Sequence, residues 1–185
     1  MHDIHRVRLS KRLSLYLRHA PERIGIQLDE GGWVEVDVLL AALAGKGIAL
    51  TRAQLNEVVV TNDKRRFAFD HTGTRIRANQ GHSVAVELDL PVRVPPALLY
   101  HGTVAAFLPT IRESGLLPMK RHDVHLSATV GTARTVGSRR GEPVVLTVDA
   151  AAMTREGHEF RLSANGVWLA REVPPRFLSI PTSSG

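Results

Sequence analysis

Two basic segments of the sequence carry side chains that can bind phosphate and move a proton. The first is Arg18-His19, near the end of a predicted helix, and the second is Lys64-Arg65-Arg66. Arginine is a permanent cation whose fork matches phosphate oxygens, and histidine exchanges a proton near neutral pH. The dipole of a helix also favours cations at its carboxyl end, so Arg18-His19 can equally have only that structural role.

The spacing does not decide which cation of the second segment faces a ligand. On a regular strand Lys64 and Arg66 share one face, and Arg65 shares the other face with Phe67. Because an arginine is rarely buried beside an aromatic ring, a turn or bulge near Asp63 would have to reset this alternation. A solvated hairpin that touches phosphates without specificity is the alternative.

Glycine and polar residues form a third group in the second half of the chain. It comprises His101-Gly102-Thr103, residues 121–127 and residues 165–168. Glycines beside strand ends let a ligand approach the backbone closely. We expect Thr103 to cap a helix that runs to Gly115, and the N-terminus of that helix would attract an anion. A metal site at the histidines of this group is disfavoured, because no carboxylate completes a ligand set.

The composition excludes several classes of protein. The 185 residues include no cysteine, which excludes disulfide scaffolds, cysteine-bound metals and thiol catalysis. The formal net charge of +6 favours a polyanionic partner such as nucleic acid, although a solvated basic face would produce the same excess. No apolar run approaches the ~18 residues of a membrane span, and the N-terminus lacks an apolar signal segment. A soluble, cytoplasmic protein is therefore expected.

The elements that position these residues fall into two halves. Three prolines within 91–96 predict an extended linker between domains at 1–90 and 97–185. The first half predicts three helices, with Asp37 capping the second and a Thr51/Gln54 capping box opening the third. A two-stranded hairpin follows, and this order is typical of a winged helix.

The second half predicts a sheet-dominated lobe with few helices. Apolar or alternating segments predict strands near 98–101, 124–127, 143–148, 166–169 and 177–180. Helices are expected at 103–115 and 129–139, although Pro109 is unfavourable in the interior of the first of them. The fold class is therefore α+β.

Six motifs in register resemble the RNA (tRNA) 2′-phosphotransferase family of the ADP-ribosyltransferase superfamily. They occupy residues 14–21, 63–67, 77–83, 99–103, 124–127 and 165–169. The resemblance implies an N-terminal winged-helix lobe that binds RNA and a C-terminal ADP-ribosyltransferase-like lobe that binds NAD. It implies an NAD-dependent enzyme that removes an internal 2′-monophosphate from RNA.

The family reaction has two steps. The RNA 2′-phosphate attacks the ribose carbon that carries nicotinamide, giving a 2′-phospho-ADP-ribosylated RNA. The ribose O2″ then attacks the phosphodiester and releases 2′-OH RNA and ADP-ribose 1″,2″-cyclic phosphate. The implied catalytic group consists of Arg18, His19, Arg66 and Arg121. Because arginine stays protonated, we expect His19 to assist the proton transfers of the second step while the arginines stabilise phosphoryl charge.

The resemblance also implies two sets of ligand contacts. The expected NAD contacts are His101, Gly102, Thr103, His125, Ser127, Arg139, Gly166 and Val167. The expected RNA contacts are Arg77, Gln80, His82 and Ser83, with a structural role between the lobes as the alternative. Val167 stands where protein-modifying relatives carry an acidic residue, which argues against modification of protein side chains. Neither a metal nor an obligate protein partner is expected.

Two other functions stay open at this point. One is an ADP-ribosyltransferase that modifies terminal phosphates of nucleic acid. The other is a non-enzymatic winged-helix regulator. The four implied catalytic residues favour the two-step enzyme over the first alternative. The predicted recognition helix at 51–60 has one arginine and little chemistry for contacting bases, which disfavours the second.

Overall fold

A computed structural model of the chain describes residues 3–62, 64–86 and 88–181. The chain divides into two compact units, Met1–Asp89 and Leu90–Gly185, which we call the first and the second unit. Each combines helices with small sheets, which confirms the predicted α+β class. None of the described helices is long and apolar enough to cross a bilayer.

The first unit contains, within its described residues, three α-helices and a three-stranded sheet. Its helices are α1 (Asp3–Arg18), α2 (Val36–Ala44) and α3 (Arg52–Val60), and its strands are β1 (Val34–Glu35), β2 (Phe67–Phe69) and β3 (Arg75–Ala78). β3 lies between β1 and β2 and is antiparallel to both. The predicted helices and hairpin are confirmed. β1 was not predicted, because two residues are too few to show strand alternation.

The start of α2 differs from the prediction. Asp37 does not cap this helix, because α2 begins one residue earlier and Asp37 lies in its first turn. β1 leads directly into α2, and the backbone N–H of Val36 donates to the carbonyl of Thr74 over 2.8 Å. The chain that enters β3 thus satisfies the first backbone donor of the helix, and no side chain caps α2. The Thr51/Gln54 capping box of α3 is present as predicted.

The core of the first unit holds the end of α1 in place. Leu9, Leu13 and Leu17 lie on one face of α1 at helical spacing and are buried. They join the buried Leu55 of α3 and Ile76 of β3 in one cluster. Because Leu17 is completely buried, the position at which the helix ends with Arg18 is fixed, and so is the start of the following chain at His19.

The second unit contains two three-stranded sheets and three α-helices in its described part. Its strands are β4 (Leu98–Val104), β5 (Val124–Leu126), β6 (Pro143–Asp149), β7 (Arg161–Leu162), β8 (Trp168–Ala170) and β9 (Leu178–Ser179). The helices are α4 (Leu108–Ser114), α5 (Val130–Gly137) and α6 (Ala150–Arg155). One sheet has the order β4-β6-β9 and the other β5-β8-β7, and a bridge between Tyr100 and Ser127 joins them.

The helix expected to start at Thr103 was wrong. Thr103 belongs to β4, where it pairs with Val144 of β6, and the strand continues to Val104. α4 begins only at Leu108 and has seven residues, so Pro109 occupies its first turn, where proline is tolerated. The anion site expected at a helix following Thr103 is therefore absent from this position.

Two other segments of the second unit were not foreseen. α6 begins after Asp149, whose carboxylate accepts from the backbone N–H of Ala152 over 2.8 Å. An aspartate before a run of alanines is a helix-start signal that the sequence contains. Within the proline-rich segment 91–96, Val92 forms a bridge with Arg161, and Arg93 donates its N–H to the carbonyl of Phe160.

Candidate catalytic and cofactor-binding residues

The fold brings the two basic segments of the first unit together. Arg18 is the last residue of α1, and its Nη2 lies 3.4 Å from the carbonyl oxygen of Arg66. The carbonyl of Arg18 in turn accepts from the N–H of Ser83 over 2.9 Å. His19 is exposed, and its Nδ1 lies 2.9 Å from Oγ of Ser83. Both segments are therefore tied to the chain that follows β3.

A turn resets the strand alternation ahead of Phe67. Arg65 has a φ of +39°, and its N–H donates to the carbonyl of Asn62 over 2.8 Å. The strand begins only at Phe67, so Lys64 and Arg66 do not share a strand face. Arg66 is half-buried beside Arg18, whereas Lys64 and Arg65 are exposed. Asp63, where the turn was expected, lies outside the described residues.

The residues expected to contact RNA occupy different environments. Nη1 of Arg77 donates to the carbonyl of Gly31, and its guanidinium lies 4.4 Å from the ring centre of Trp33. Burial lowers the pKa of Arg77, although Asp29 and Asp89 raise it. These contacts pack the Arg77 side chain against Gly31 and Trp33.

His82 is buried and Gln80 is half-buried. His82 is 3% exposed, and a Cβ placed on Gly32 would lie 3.2 Å from its Nε2. This burial favours a structural role for His82. Gln80 is half-buried, and Ser83, which is exposed, bonds to His19.

In the second unit, hydrogen bonds fix the protonation of His101. Nδ1 of His101 lies 3.0 Å from the carbonyl oxygen of His125, which can only accept, so Nδ1 carries the proton. Burial lowers the pKa of His101; the carbonyl of His125 raises it, and the cations of Arg140 and Arg121 lower it further. His101 is therefore neutral at physiological pH, with Nε2 able to accept a hydrogen bond.

Arg121 belongs to a group of three guanidinium cations. Its Nη1 lies 3.1 Å from Nδ1 of His125, which must accept because a guanidinium only donates. The pKa of Arg121 is lowered by burial and then by the nearby charges of Arg140 and Arg139. Among the described residues, no carboxylate lies within 4.0 Å of any of these three cations. A concentration of cations without a protein counterion suits an anionic ligand.

Gly102 allows α5 to pack directly on β4. A Cβ at this position would lie 1.8 Å from the carbonyl oxygen of Ala133 in α5. Tyr100 exchanges both of its backbone hydrogen bonds with Ser127, at 2.9 and 2.8 Å. Because the hydrogen-bonding groups of alternate residues face the same edge of a strand, the N–H and C=O of Gly102 face the edge of β4 at which Tyr100 bonds Ser127. β5 has already ended at Leu126, just before this pairing. Thr103, the residue after Gly102, is 6% exposed.

Gly166 and Val167 form a tight turn between β7 and β8. Gly166 has a φ of +79°, which glycine adopts without strain. The turn is organised by the buried Ser163, whose Oγ accepts from the N–H of Val167 over 3.0 Å. Val167 is half-buried immediately before β8.

Sequence reasoning missed the roles of two residues in these clusters. Arg140 stands beside Arg139 in a 3₁₀ turn and supplies the larger cationic influence on His101 and Arg121. The two adjacent arginines, Arg139 and Arg140, were the feature of the sequence that could have indicated this role. Asn79 is 5% exposed and donates from its backbone to Arg66 over 2.9 Å. A polar residue between a strand and a glycine gave only a weak signal for this role.

Guanidinium groups beside a histidine, and a second cationic cluster around a neutral histidine, are typical of proteins that act on phosphorylated substrates. A sequence model of the RNA 2'-phosphotransferase, Tpt1 / KptA family matches residues 4–172. A protein of Streptomyces coelicolor named "Probable RNA 2'-phosphotransferase" is 63% identical, covering 95% of this chain and 95% of its own length. Proteins with the same name from Streptomyces griseus and Burkholderia pseudomallei are 62% and 52% identical, over 93% and 94% of this chain and 95% of their own lengths.

The chain therefore belongs to the RNA 2′-phosphotransferase family, which confirms the predicted family. It is a transferase, and its activity is the removal of a 2′-phosphate from RNA.

Proposed function

We propose that this enzyme removes an internal RNA 2′-monophosphate in two steps and consumes NAD⁺ as a co-substrate. Arg18, His19 and Arg66 of the first unit and Arg121 of the second serve this one reaction. The observation that carries the proposal is the contact of Arg18 with the Arg66 carbonyl beside His19, which gathers phosphate-binding and proton-transferring groups. We further propose a winged-helix RNA-binding lobe at 1–90 and an ADP-ribosyltransferase-like lobe at 97–185.

Arg18 and Arg66 bind the 2′-phosphate of the RNA. The phosphate is a dianion, and two arginines can bind it through several charge-assisted hydrogen bonds. Arg18 is half-buried, so its guanidinium is partly shielded from water, which strengthens its attraction for an anion. Nicotinamide leaves as a neutral molecule, so the first step needs no general acid.

His19 handles the proton of the second step. In that step a ribose hydroxyl loses a proton and the 2′-oxygen of the RNA gains one. Arginine cannot exchange this proton, because it stays protonated. Since Nδ1 of His19 faces Ser83, the other ring nitrogen, Nε2, is the atom that accepts and returns the proton.

The second unit has the chemistry needed to hold NAD⁺. Nε2 of neutral His101 can accept from a ribose hydroxyl, and Arg139 and Arg140, beside the catalytic Arg121, match the charge of a pyrophosphate. The backbone edge of Gly102 can pair with a carboxamide. When bound, NAD⁺ supplies the electrophilic ribose carbon and its leaving group. Thr103, His125, Ser127, Gly166 and Val167 complete the proposed contacts.

The test is an incubation of the protein with a short RNA bearing one internal 2′-phosphate, with and without NAD⁺. The proposal predicts 2′-OH RNA and ADP-ribose cyclic phosphate only when NAD⁺ is present. RNA that gains ADP-ribose and stops there would favour modification of nucleic-acid phosphates instead. Release of inorganic phosphate without NAD⁺ would contradict the co-substrate assignment. A cytoplasmic location and the absence of an obligate protein partner stay predictions.

A further inference from the structure

A short segment after β3 contacts every proposed catalytic residue of the first unit. This segment, residues 79–84, is called the β3 extension. At its start, Asn79 donates to two consecutive carbonyls, those of Arg65 and Arg66. At its other end, Ser83 donates its N–H to Arg18 and places its hydroxyl on His19. The β3 extension thus connects the two basic segments, which are 48 residues apart in sequence.

We infer that Ser83 and Asn79 are positioning residues, Ser83 for His19 and Asn79 for Arg66. The inference rests on the roles proposed above for His19 and Arg66. It changes the role expected for Ser83, which the family resemblance placed among the RNA contacts. Neither residue needs to touch the reacting atoms.

The hydroxyl of Ser83 suits both protonation states of His19. A hydroxyl oxygen can accept from Nδ1–H, and it does so whether the ring is neutral or cationic. The same bond therefore persists while Nε2 accepts and returns a proton, and the ring keeps one orientation through the step. Ser83 is exposed, so it contributes little to the core. Its N–H bond to Arg18 involves only the backbone, so it is retained when Ser83 is replaced by alanine or threonine.

Asn79 orients the peptide that leads into Arg66. Its Nδ2 donates to the carbonyl of Arg65 over 2.5 Å, and its N–H donates to the carbonyl of Arg66 over 2.9 Å. Arg65 has a φ of +39°, which side chains other than Asn and Asp rarely adopt. Because Asn79 is 5% exposed, water does not readily replace its amide. The hydrogen bond from the Asn79 side chain therefore supports the left-handed turn before Arg66, whose carbonyl lies beside Arg18.

The Ser83 test compares three variants of the full chain in single turnovers with saturating NAD⁺ and 2′-phosphorylated RNA. Ser83→Ala removes the hydroxyl, Ser83→Thr retains it, and His19→Ala is the reference for losing the histidine. Nicotinamide release reports the first step, and decay of RNA that carries ADP-ribose reports the second. Thr61→Ala is the matched control, because it removes another exposed hydroxyl of the same unit, bonded to the carbonyl of Glu57.

Positioning predicts that Ser83→Ala slows the second step about five- to tenfold, the value of a single hydrogen bond, and leaves nicotinamide release unchanged. The pH dependence of the second step should also shift, because His19 loses its partner. Ser83→Thr should restore both, and Thr61→Ala should match the wild type.

Three results would overturn the role of Ser83. A higher KM for RNA with unchanged single-turnover rates would make Ser83 an RNA contact. A normal second step in Ser83→Ala beside a defective one in His19→Ala would refute positioning and leave the proposed function intact. A normal second step in His19→Ala would refute the proposed role of His19, and the role of Ser83 with it.

The Asn79 test uses rescue, because a buried substitution can also weaken folding. Asn79→Ala should slow nicotinamide release about tenfold or more, since the phosphate loses a correctly placed Arg66. Glycine adopts φ near +39° without support, so adding Arg65→Gly should recover part of the rate and any thermal stability that Asn79→Ala removes. Arg65→Gly alone serves as the control. If the double variant is no better than Asn79→Ala in either respect, Asn79 does not act through the turn at Arg65.

Discussion

Hydrogen bonds place the protons of His101 and His125 on different ring nitrogens. His101 donates from Nδ1 to a carbonyl, whereas Nδ1 of His125 accepts from Arg121. The proton of neutral His125 therefore lies on Nε2. The two hydrogen bonds thus give the two histidines opposite tautomers.

The lowered pKa of His101 predicts how NAD⁺ binding responds to pH. Burial chiefly lowers this pKa from 6.5, so His101 stays neutral at pH values where an ordinary histidine charges. The affinity for NAD⁺, measured by titration calorimetry, should therefore stay constant as the pH falls from 8 to about 6.5. His101→Ala should weaken binding about tenfold at all these pH values. A wild-type affinity that falls with a midpoint near 6.5 would contradict the assignment.

Asp70 predicts an acid-sensitive stability of the first unit. Burial raises the pKa of this carboxylate, but hydrogen bonds from Arg75 and Thr72 and the charge of Arg75 lower it to about 2. A lowered pKa means that ionised Asp70 stabilises the fold above pH 3.8, its unfolded value, and that this contribution disappears as the pH falls toward 2. Urea unfolding should therefore show wild type losing more stability than Asp70→Asn between pH 4 and pH 2. Equal losses would show that Asp70 does not contribute.

At the scale of the elements, the contact of β4 with α5 predicts a large effect at Gly102. A methyl group there would overlap the carbonyl of Ala133, so Gly102→Ala should cost about 2–3 kcal/mol of unfolding free energy. Gly131, which lies in α5, has no atom within 4 Å of an added Cβ. Gly131→Ala is therefore the matched control and should be neutral or stabilising by up to about 1 kcal/mol. Denaturant unfolding measures both, and a Gly102→Ala variant as stable as the wild type would show that α5 does not pack on β4 as closely as described.

Local signals in the sequence predicted elements well where neighbouring residues decide the structure. The capping box at Thr51 and the apolar stripe of α1 are such cases, because both depend on residues within one or two turns. Thr103 was assigned to a helix because its strand partner, Val144, is distant in sequence. Asp37 was wrong as a cap for a similar reason, since the pairing of β1 with the distant β3 and the bond from Val36 to Thr74 start the helix before Asp37.

The candidate site was likewise only partly predictable from the sequence. Motif resemblance indicated Arg18, His19 and Arg66, but it gave no view of what holds them. Asn79 reaches Arg65 across 14 residues, and Ser83 reaches His19 across 64. Side-chain bonds over such separations depend on tertiary structure, which spacing alone does not contain.

At the scale of the whole molecule, the net charge of +6 should make RNA binding strongly dependent on salt. Exposed cations on one face of α1 are part of this charge. Arg8 and Arg12 are four residues apart, so they lie one turn above the other, and both are exposed. They are outside the proposed catalytic group. Their expected role is to attract the RNA backbone, which carries no sequence information.

Neutralising these two arginines should weaken binding and leave the chemistry intact. Arg8→Gln/Arg12→Gln should lower the affinity for RNA several-fold at low salt. It should also reduce the slope of log K against log[salt] by about 0.7 for each phosphate that the protein no longer neutralises. Single-turnover nicotinamide release at saturating RNA should stay at the wild-type rate, because at saturation all of the protein has RNA bound and the rate no longer depends on affinity. Fluorescence anisotropy over a series of salt concentrations measures the slope.

The control removes the same charge from the second unit. Arg112 in α4 and Arg155 in α6 are exposed, so Arg112→Gln/Arg155→Gln changes the net charge equally. If attraction came from net charge alone, the two double variants would show the same reduction in affinity and in slope. A larger reduction in the α1 variant would place the RNA backbone along α1. A larger reduction in the control would assign the contact with the RNA backbone to the second unit. The arginines of α1 would then be solvated and would not bind RNA.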